Sequence, residues 1–232
     1  MRLAIIGYGR MGRALEALAK EQSHTVQTII TGAENRQGQA ITAERLAGAE
    51  VAVEFTRPTT VVENLHRLVA LGIPTVTGTT GWIEHLPRLE QSVQKHGGAI
   101  LYSPNFSVGV QLFLRAARDL SRRFADHPEF DGFIVEHHHL AKVDAPSGTA
   151  VRLREKLREA DPSREFPITS IRAGAVPGIH TLTYDSAHET VRLEHASRSR
   201  QAFAAGALAA AQWLRGKRGI YTFEGMLFGS EP

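Results

Sequence analysis

Short apolar runs alternate with helical patterns along the first hundred residues. Runs typical of buried β-strands cover residues 3–6, 25–30, 51–55, 75–77 and 100–102. Apolar residues recur at helical spacing between most of them, as in residues 10–20 and 59–71. Strands that alternate with helices in this way predict βαβ units, and therefore a parallel sheet.

The pattern changes after Pro104. Helical spacing over residues 108–124 is followed by a strand from Phe133 and by a helix that begins near Ser147. Three β-type runs come next, at residues 168–171, 179–184 and 190–195, and they indicate a mixed or antiparallel sheet. Residues 201–215 are helical again.

These patterns predict an α/β fold with two domains. Residues 1–106 are expected to form a Rossmann-type parallel-sheet domain that binds a dinucleotide. Residues 107–200 are expected to form a smaller α+β domain for substrate binding and oligomerisation. We expect the C-terminal segment, about 201–232, to pack back on the first domain.

Composition narrows the class of protein. Of the 232 residues, 42% are hydrophobic and 22% are charged, which is typical of a globular chain. The net charge of +3 is not gathered into a Lys/Arg run, which favours a small anionic ligand over nucleic acid. The absence of cysteine excludes disulfides and thiol nucleophiles and is consistent with a reducing cytoplasm. We expect no signal peptide and no membrane association.

A glycine-rich loop follows the first predicted strand directly. It reads Gly7-Tyr8-Gly9-Arg10-Met11-Gly12, a G-x-G-x-x-G pattern that opens a helix. Such glycines permit a tight turn, a close approach of backbone to pyrophosphate and close packing of helix on strand. The N–H groups at the start of the helix can then bind the phosphates.

Three further loops follow predicted parallel strands at their carboxyl ends. They are Phe55-Thr56-Arg57, Gly78-Thr79-Thr80-Gly81 and Ser103-Pro104-Asn105-Phe106. Ligands of open α/β sheets bind at that edge, so four such loops together predict a dinucleotide site. The candidate cofactor-binding residues are Gly7, Tyr8, Gly9, Arg10, Met11, Gly12, Arg57, Gly78, Thr79, Thr80, Ser103, Pro104, Asn105 and Phe106.

The choice between NADH and NADPH stays open. An acidic residue after the second strand would favour the ribose 2′-hydroxyl of NADH, but Thr31-Gly32 stand there and Glu34 is the nearest carboxylate. Arginines, namely Arg10, Arg36 and Arg57, are alternative partners for the 2′-phosphate of NADPH.

The second half contains one stretch dense in chemistry, from Glu136 to Ala150. Pro146-Ser147-Gly148-Thr149 resembles a helix start whose cap and free N–H groups can receive a carboxylate. Lys142 and three adjacent histidines are close to it in sequence. In a strand His137 and His139 share one face and His138 lies on the other. Without cysteine or an H-E-x-x-H pattern we predict no metal site, and Lys142 with Asp144 also fits a plain surface pair.

This stretch resembles the signature of the 4-hydroxy-tetrahydrodipicolinate reductases, also called dihydrodipicolinate reductases, of lysine biosynthesis in bacteria and plants. The resemblance extends in order over nearly the whole chain. It also covers Arg10-Met11-Gly12, Phe55-Thr56-Arg57-Pro58, the GTTG loop, Asn105-Phe106-Ser107-Val108-Gly109-Val110, Arg172-Ala173-Gly174 and Gly178-Ile179-His180.

The resemblance implies roles for particular residues. It makes His138 and Lys142 catalytic and places His139, Gly148 and Thr149 at the substrate, to which the predicted cap adds Ser147. It implies hydride transfer from NADH or NADPH to a small cyclic dicarboxylate, and a homotetramer. His138 acts in this scheme as a proton donor or as a charged substrate holder, and both roles stay open.

Two features depart from the family, namely a glycine loop one residue shorter than in many members and Thr31-Gly32 in place of an acidic residue. The chain is also short for the family. Two other hypotheses stand beside the reductase: a non-catalytic dinucleotide sensor, and a dehydrogenase for another amino acid or imine. His180, His188 and His195 are expected to be structural or exposed, while Arg172, Gly174 and Arg200 either orient the substrate or shape the sheet.

Overall fold

The computed structural model of the chain describes residues 1–229. Its elements follow in this order: β1 (Arg2–Ile6), α1 (Arg10–Glu21), β2 (Thr25–Ile30), β3 (Val51–Glu54), α2 (Pro58–Ala70), β4 (Thr75–Thr77), α3 (Leu86–His96), β5 (Ala99–Tyr102), α4 (Val108–Phe124), β6 (Asp131–His138), α5 (Gly148–Ala160), β7 (Ile168–Arg172), β8 (Ile179–Asp185), β9 (Thr190–Ala196), α6 (Gln201–Leu214), β10 (Gly219–Thr222) and α7 (Phe223–Phe228). Short 3₁₀ turns lie at Arg36–Gly38 and Ile83–His85. Residues 230–232, the end of the C-terminal segment predicted to pack on the first domain, lie outside the described part.

The chain divides into two compact units. Unit 1 is Met1–Val108 with the C-terminal segment from Arg200, and unit 2 is Gly109–Ser199. Unit 1 contains a six-stranded sheet in the order β10-β5-β4-β3-β1-β2, with every neighbouring pair parallel. Unit 2 contains a four-stranded mixed sheet. The predicted α/β architecture, a parallel sheet and a smaller mixed sheet, is therefore confirmed.

Both faces of the parallel sheet are covered. Alternate strand residues pack in opposite directions, so Leu3 and Ile5 join the core under α1 and α6, whereas Ala4 and Ile6 join the core on the other face. Helix α6 consists mostly of alanine on its buried side, which brings its backbone close to the sheet. At Gly206 an added Cβ would lie 1.7 Å from the carbonyl oxygen of Phe106, so this position has no room for a side chain.

Three elements of unit 1 are not predicted by the apolar pattern. Helix α3 buries only Leu89 and Val93. Strand β10 has four residues and pairs with β5 at the edge of the sheet, and α7 is a six-residue helix that follows it. Strand β10 and helix α7 are too short to show a hydrophobic period, and α3 has only two buried apolar residues to mark its face. Strand β10 is defined by its pairing with β5.

Unit 2 arranges its sheet in the order β7-β6-β8-β9, where β6 and β7 are parallel and the other pairs are antiparallel. Its core gathers residues of α4, α5 and the inner face of the sheet, including Leu114, Leu153, Ile134 and Tyr184. Burial alternates strictly along β6. That alternation buries Glu136 and His138 and leaves His137 less buried, as the strand geometry of the three histidines requires.

Candidate active site

A cavity of about 340 Å³ opens at the carboxyl edge of the parallel sheet in unit 1. It brings together the glycine loop after β1, the loop after β3 and the loop after β4. The lining residues are Gly9, Arg10, Met11, Phe55, Thr56, Pro58, Gly78, Thr79 and Thr80. Six of these belong to the predicted cofactor residues, while Phe55, Thr56 and Pro58 do not.

The three glycines of the loop have different surroundings. A Cβ added to Gly7 would lie 2.1 Å from the carbonyl oxygen of Phe55. A Cβ added to Gly12 would lie 2.2 Å from the carbonyl oxygen of Gly7. At Gly9 no atom lies within 4 Å of the added Cβ. Gly9 is also the N-cap residue of α1, and no side chain makes a capping hydrogen bond there. The backbone at Gly9 therefore faces open space, where the helix N-terminus can bind an anion.

A buried carboxyl group anchors the loops after β3 and β4. Glu54 is fully buried at the end of β3 and accepts hydrogen bonds from the hydroxyls of Thr56 and Thr77, the latter over 2.6 Å. The Thr56 N–H donates in turn to Oγ1 of Thr79 over 2.8 Å. Burial raises the pKa of Glu54 despite these hydrogen bonds. Sequence reasoning missed this residue, because only the tertiary fold shows that a strand-end carboxyl is enclosed.

The other predicted cofactor residues lie outside the cavity lining. The hydroxyl of Tyr8 donates to Glu16, and Arg13 lies over the Tyr8 ring. Phe106 is buried between Phe55 and Phe223. Gly7 and Gly12 belong to the glycine loop described above, and Arg57, Ser103, Pro104 and Asn105 lie in the loops after β3 and β5. Their contact with a cofactor stays a prediction.

A carboxylate follows β2 after all. Glu34 accepts a hydrogen bond from the N–H of Thr31 over 2.7 Å and one from Arg45 over 2.8 Å. The hydrogen bond from Arg45 and that from the Thr31 backbone lower the pKa of Glu34 to about 2. A negative charge is thus fixed just after β2, beyond Thr31-Gly32.

In unit 2 the central feature is Glu136, a fully buried carboxylate on β6. Its Oε1 accepts hydrogen bonds from the N–H of Ser147 at 2.9 Å, the hydroxyl of Ser170 at 2.6 Å and Nη2 of Arg172 at 2.7 Å. Burial acts to raise its pKa, but the hydrogen bonds from these three residues outweigh burial and hold the pKa at about 2. Glu136 is therefore ionised at neutral pH.

His138 lies beside this carboxylate on the same face of β6. Its Nδ1 is 3.0 Å from Oε2 of Glu136. The ring of His180, on β8, lies 5.1 Å away between centroids. Burial lowers the pKa of His138, opposed by the charge of Glu136, and burial lowers the pKa of His180 to about 4. Both shifts favour the neutral imidazole at neutral pH.

Lys142 lies in the loop after β6, where its Nζ is 2.7 Å from Oδ1 of Asp144. The hydrogen bond from Lys142 lowers the pKa of Asp144, with a smaller contribution from a backbone hydrogen bond of Gly148. Arg172 donates to the carbonyl oxygen of Asp144 over 2.6 Å. The loop is thus tied to β7 and to the start of α5.

The start of α5 has the predicted cap. Ser147 is the N-cap, and its hydroxyl accepts from the N–H of Ala150 at 3.2 Å. Gly148 is exposed, with no atom within 4 Å of an added Cβ, and Thr149 is half-buried. His139 follows β6 and is half-buried. Unit 2 thus brings His138, Lys142, Ser147 and Gly148 together through Glu136 and Asp144.

Three ligand-type side chains, Glu136, His138 and His180, have atoms within 4.8 Å of one another. Their surroundings are not those of a cation site, because Arg172 is bonded to Glu136 and would repel a metal ion. The expectation of no metal stays a prediction.

Sequence reasoning missed Glu136 and His180 as site residues and left Arg172 undecided. His180, which was expected to be structural or exposed, is buried, with its Nε2 3.1 Å from the hydroxyl of Ser147. The alternation of β6 does predict that Glu136 and His138 share a face. The contacts of β7 and β8 with that face follow only from the pairing of strands distant in sequence.

A dinucleotide-type sheet edge in unit 1 and a cluster of histidine, lysine and buried carboxylate in unit 2 define a two-domain reductase or dehydrogenase. Family models narrow this class, since residues 1–106 match the N-terminal model and residues 109–227 the C-terminal model of dihydrodipicolinate reductase. The chain belongs to the dihydrodipicolinate reductase family.

Individual relatives agree with the family assignment. The chain is 33% identical to the 4-hydroxy-tetrahydrodipicolinate reductase of Christiangramia forsetii over 98% of both chains. It is 37% identical to the enzyme of that name from Methanopyrus kandleri, over 79% of this chain and 73% of the other. A solved structure of dipicolinate-bound dihydrodipicolinate reductase from Paenisporosarcina sp. TG-14 superposes with a TM-score of 0.81, at 21% identity, over 97% of this chain and 99% of the other.

Proposed function

We propose that this protein reduces 4-hydroxy-tetrahydrodipicolinate to tetrahydrodipicolinate in lysine and diaminopimelate biosynthesis, with NADH or NADPH as the reductant. The observation that carries the proposal is the cluster in unit 2. There the carboxylate of Glu136 contacts His138 on β6 and the N–H of Ser147 at the start of α5. The carboxylate of Asp144 contacts Lys142 in the loop after β6. Full-length similarity to reductases of that name supports it.

Unit 1 fits a dinucleotide. The open backbone at Gly9 and the N-terminus of α1 suit a pyrophosphate, and Gly78, Thr79 and Thr80 line the same cavity. The bound nicotinamide would supply a hydride. The chain itself binds and orients the cofactor there, and it provides donors and acceptors at the loops after β3 and β4.

Unit 2 fits a dicarboxylate. The carboxylate of Asp144 accepts hydrogen bonds from Nζ of Lys142 and from the backbone N–H of Gly148. These donors are the ones that the substrate carboxylate would use, together with His139 and Thr149. Asp144 therefore indicates that the geometry of Lys142 and the helix start accommodates a carboxylate.

The reaction consumes one hydride and one proton and releases the 4-hydroxyl group as water. Nζ of Lys142 can donate a proton, or a hydrogen bond, to the ring nitrogen of the substrate. Burial favours the neutral form of His138, and a neutral imidazole must bind a second proton before it can act as an acid. A dianionic substrate favours that protonation, because opposite charge nearby raises the pKa of a histidine.

The test is NADH and NADPH oxidation with freshly generated 4-hydroxy-tetrahydrodipicolinate. We expect substrate-dependent oxidation that falls by about 10²-fold or more in His138→Ala and in Lys142→Ala. Matched controls are His188→Ala and Lys95→Ala, whose side chains are exposed away from both clusters. Circular dichroism and dinucleotide binding confirm folding of each variant. Dinucleotide binding without any substrate-dependent oxidation would overturn the proposal in favour of a sensor or another substrate.

We also propose that the protein is a cytoplasmic homotetramer assembled through the sheets of unit 2. Strand β9 lies at the edge of that sheet, and edge strands offer unpaired backbone groups to another chain. Within the described residues no helix is long and apolar enough to cross a membrane. Sedimentation equilibrium should give about four times 25.4 kDa. A monomer at micromolar concentration, or fractionation with the membrane, would contradict this assignment.

A further inference from the structure

Glu136 has two oxygen atoms with different surroundings. Three donors from β7 and the start of α5 already bind Oε1. The other oxygen, Oε2, faces two imidazole edges, 3.0 Å from Nδ1 of His138 and 3.8 Å from Nε2 of His180. His180 Nε2 is within hydrogen-bonding distance of the Ser147 hydroxyl. The natural partner of Oε2 is therefore the Nδ1 of His138.

Nδ1 of His138 and Oε2 of Glu136 are close enough for a hydrogen bond but are not aligned for one. Neither Oε2 of Glu136 nor Nδ1 of His138 has a hydrogen-bond partner among the described residues, although they are 3.0 Å apart. The distance suits a hydrogen bond, whereas the direction of the Nδ1–H bond does not, so a hydrogen bond here requires the His138 ring to rotate. A buried carboxylate oxygen left without a donor is costly, which favours that rotation.

The opposite edge of the His138 ring faces a position without a side chain. An added Cβ at Gly178 would lie 3.0 Å from Nε2 and 3.2 Å from Cδ2 of His138. Glu136 thus contacts the Nδ1 edge, and Gly178 leaves space at the Nε2 edge. The ring is held from the buried side, and its Nε2 is the nitrogen left for chemistry.

We propose that Glu136 is a positioning residue of the reductase, which holds His138 in the tautomer protonated at Nδ1 so that Nε2 presents its lone pair. This proposal rests on the proposed function. The neutral ring then has no proton to give at Nε2, so His138 binds a proton there before it donates. The fixed charge of Glu136 stabilises the resulting imidazolium, as the aspartate of a serine-protease triad does.

A merely structural role for Glu136 is a distinct alternative. The three hydrogen bonds to Oε1 join β6 to β7 and to α5, and they would serve that role without any effect on the histidine. The two roles differ in what happens at the ring of His138. The deciding experiment therefore measures which ring nitrogen of His138 carries the proton.

The first measurement is ¹H–¹⁵N NMR of the wild-type full chain labelled at the histidine ring nitrogens, with His138 identified by the signal missing in His138→Ala. We expect a protonated Nδ1 and an unprotonated Nε2 at neutral pH. A ring protonated only at Nε2 overturns the proposal. This readout needs no catalytic activity, so it is independent of whether 4-hydroxy-tetrahydrodipicolinate is the substrate.

The second measurement compares Glu136→Gln with the control Glu159→Gln, an exposed carboxylate on α5. We expect kcat to fall about 10²- to 10⁴-fold in Glu136→Gln, with a smaller change in KM. The limb of the kcat–pH profile that belongs to His138 should shift to lower pH, because a negative neighbour is lost. Glu136→Asp keeps the charge and should restore part of kcat. If Glu136→Gln does not fold, the Glu136→Asp variant and the wild-type NMR measurement still distinguish a positioning role of Glu136 from a structural one.

A folded Glu136→Gln variant with wild-type kcat and an unchanged pH profile overturns the proposal. So does a fall in kcat with the His138 tautomer unchanged in the variant. If wild-type enzyme shows no substrate-dependent oxidation but the expected tautomer, the proposed function fails and the arrangement of the ring stands.

Discussion

Lys142 and Asp144 form an ion pair within one loop, in which Nζ lies 2.7 Å from Oδ1 and 2.9 Å from Oδ2. The lysine side chain is 23% exposed and the aspartate side chain 57% exposed. Water and ions screen a pair of this kind, and exposed pairs contribute about 0.2–1 kcal/mol. A substrate carboxylate can therefore displace Asp144 at little cost.

That weak pairing predicts a small effect of Asp144→Asn. The variant removes a competitor for Lys142, and KM for 4-hydroxy-tetrahydrodipicolinate should fall by no more than about fivefold, the equivalent of about 1 kcal/mol. Lys142→Met should instead lower kcat/KM by about 10²-fold or more. Steady-state kinetics at several substrate concentrations separates the two. A tenfold rise in KM for Asp144→Asn would show that Asp144 supports binding.

Glu54 predicts a pH-dependent stability of unit 1. Its folded-state pKa is raised, chiefly by burial, so the folded chain holds a proton that the unfolded chain releases. The stabilisation is present below the unfolded pKa of about 4.5 and is lost as pH rises through the folded pKa. Glu54→Gln, which imitates the neutral acid, should gain stability relative to wild type over that window.

Thermal melting at a series of pH values measures this effect, with Glu90→Gln, an exposed residue of α3, as the control. The melting temperatures of wild type and Glu54→Gln should diverge as the pH rises above about 4.5. A constant difference at all pH values would mean that Glu54 keeps its ordinary pKa.

Gly7 predicts a steric effect at the cofactor loop. Its φ is +95° and an added Cβ would lie 2.1 Å from the carbonyl oxygen of Phe55. Gly7→Ala should therefore destabilise the chain by about 2 kcal/mol or more and abolish dinucleotide binding. Gly32→Ala is the matched control for stability, because no atom lies within 4 Å of its added Cβ. Equal denaturation midpoints for the two variants would contradict the steric argument.

The fold was more accessible to sequence reasoning than the site. Buried parallel strands such as β1 contain continuous apolar runs, and alternation along β6 assigns faces to consecutive residues. These signals are local. Strand β10 lacks them, because it has three half-buried residues and one exposed residue, and its pairing with β5 joins positions more than a hundred residues apart.

The chemistry of the site shows the same division. His138 and Lys142 belong to a compact motif whose resemblance to a family is visible in the sequence. The ionisation of Glu136 is not local, because it depends on Ser170 and Arg172, which reach it only after β6 and β7 pair. Sequence spacing does not predict that contact, and for this reason Glu136, the carboxylate next to His138, was missed.

The last prediction concerns cofactor choice, which the sequence left open at Thr31-Gly32. In the structure Glu34 is bonded to the N–H of Thr31 and to Arg45 at the carboxyl end of β2. A carboxylate there accepts a hydrogen bond from the ribose 2′-hydroxyl of NADH and repels the 2′-phosphate of NADPH. We therefore expect NADH to be the better substrate of the wild-type enzyme.

Glu34→Gln tests this assignment. It removes the repulsion and frees Arg45 for a phosphate, so the ratio of kcat/KM for NADPH to that for NADH should rise by about tenfold, the equivalent of one charge-assisted hydrogen bond. Glu44→Gln, an exposed carboxylate beside Arg45 in sequence, is the control and should leave the ratio unchanged. If Glu34→Gln also leaves this ratio unchanged, Glu34 does not determine the choice of cofactor. The choice would then depend on contacts to the 2′-phosphate, and Arg10 in the cavity lining and Arg57 in the loop after β3 would be the residues to vary next.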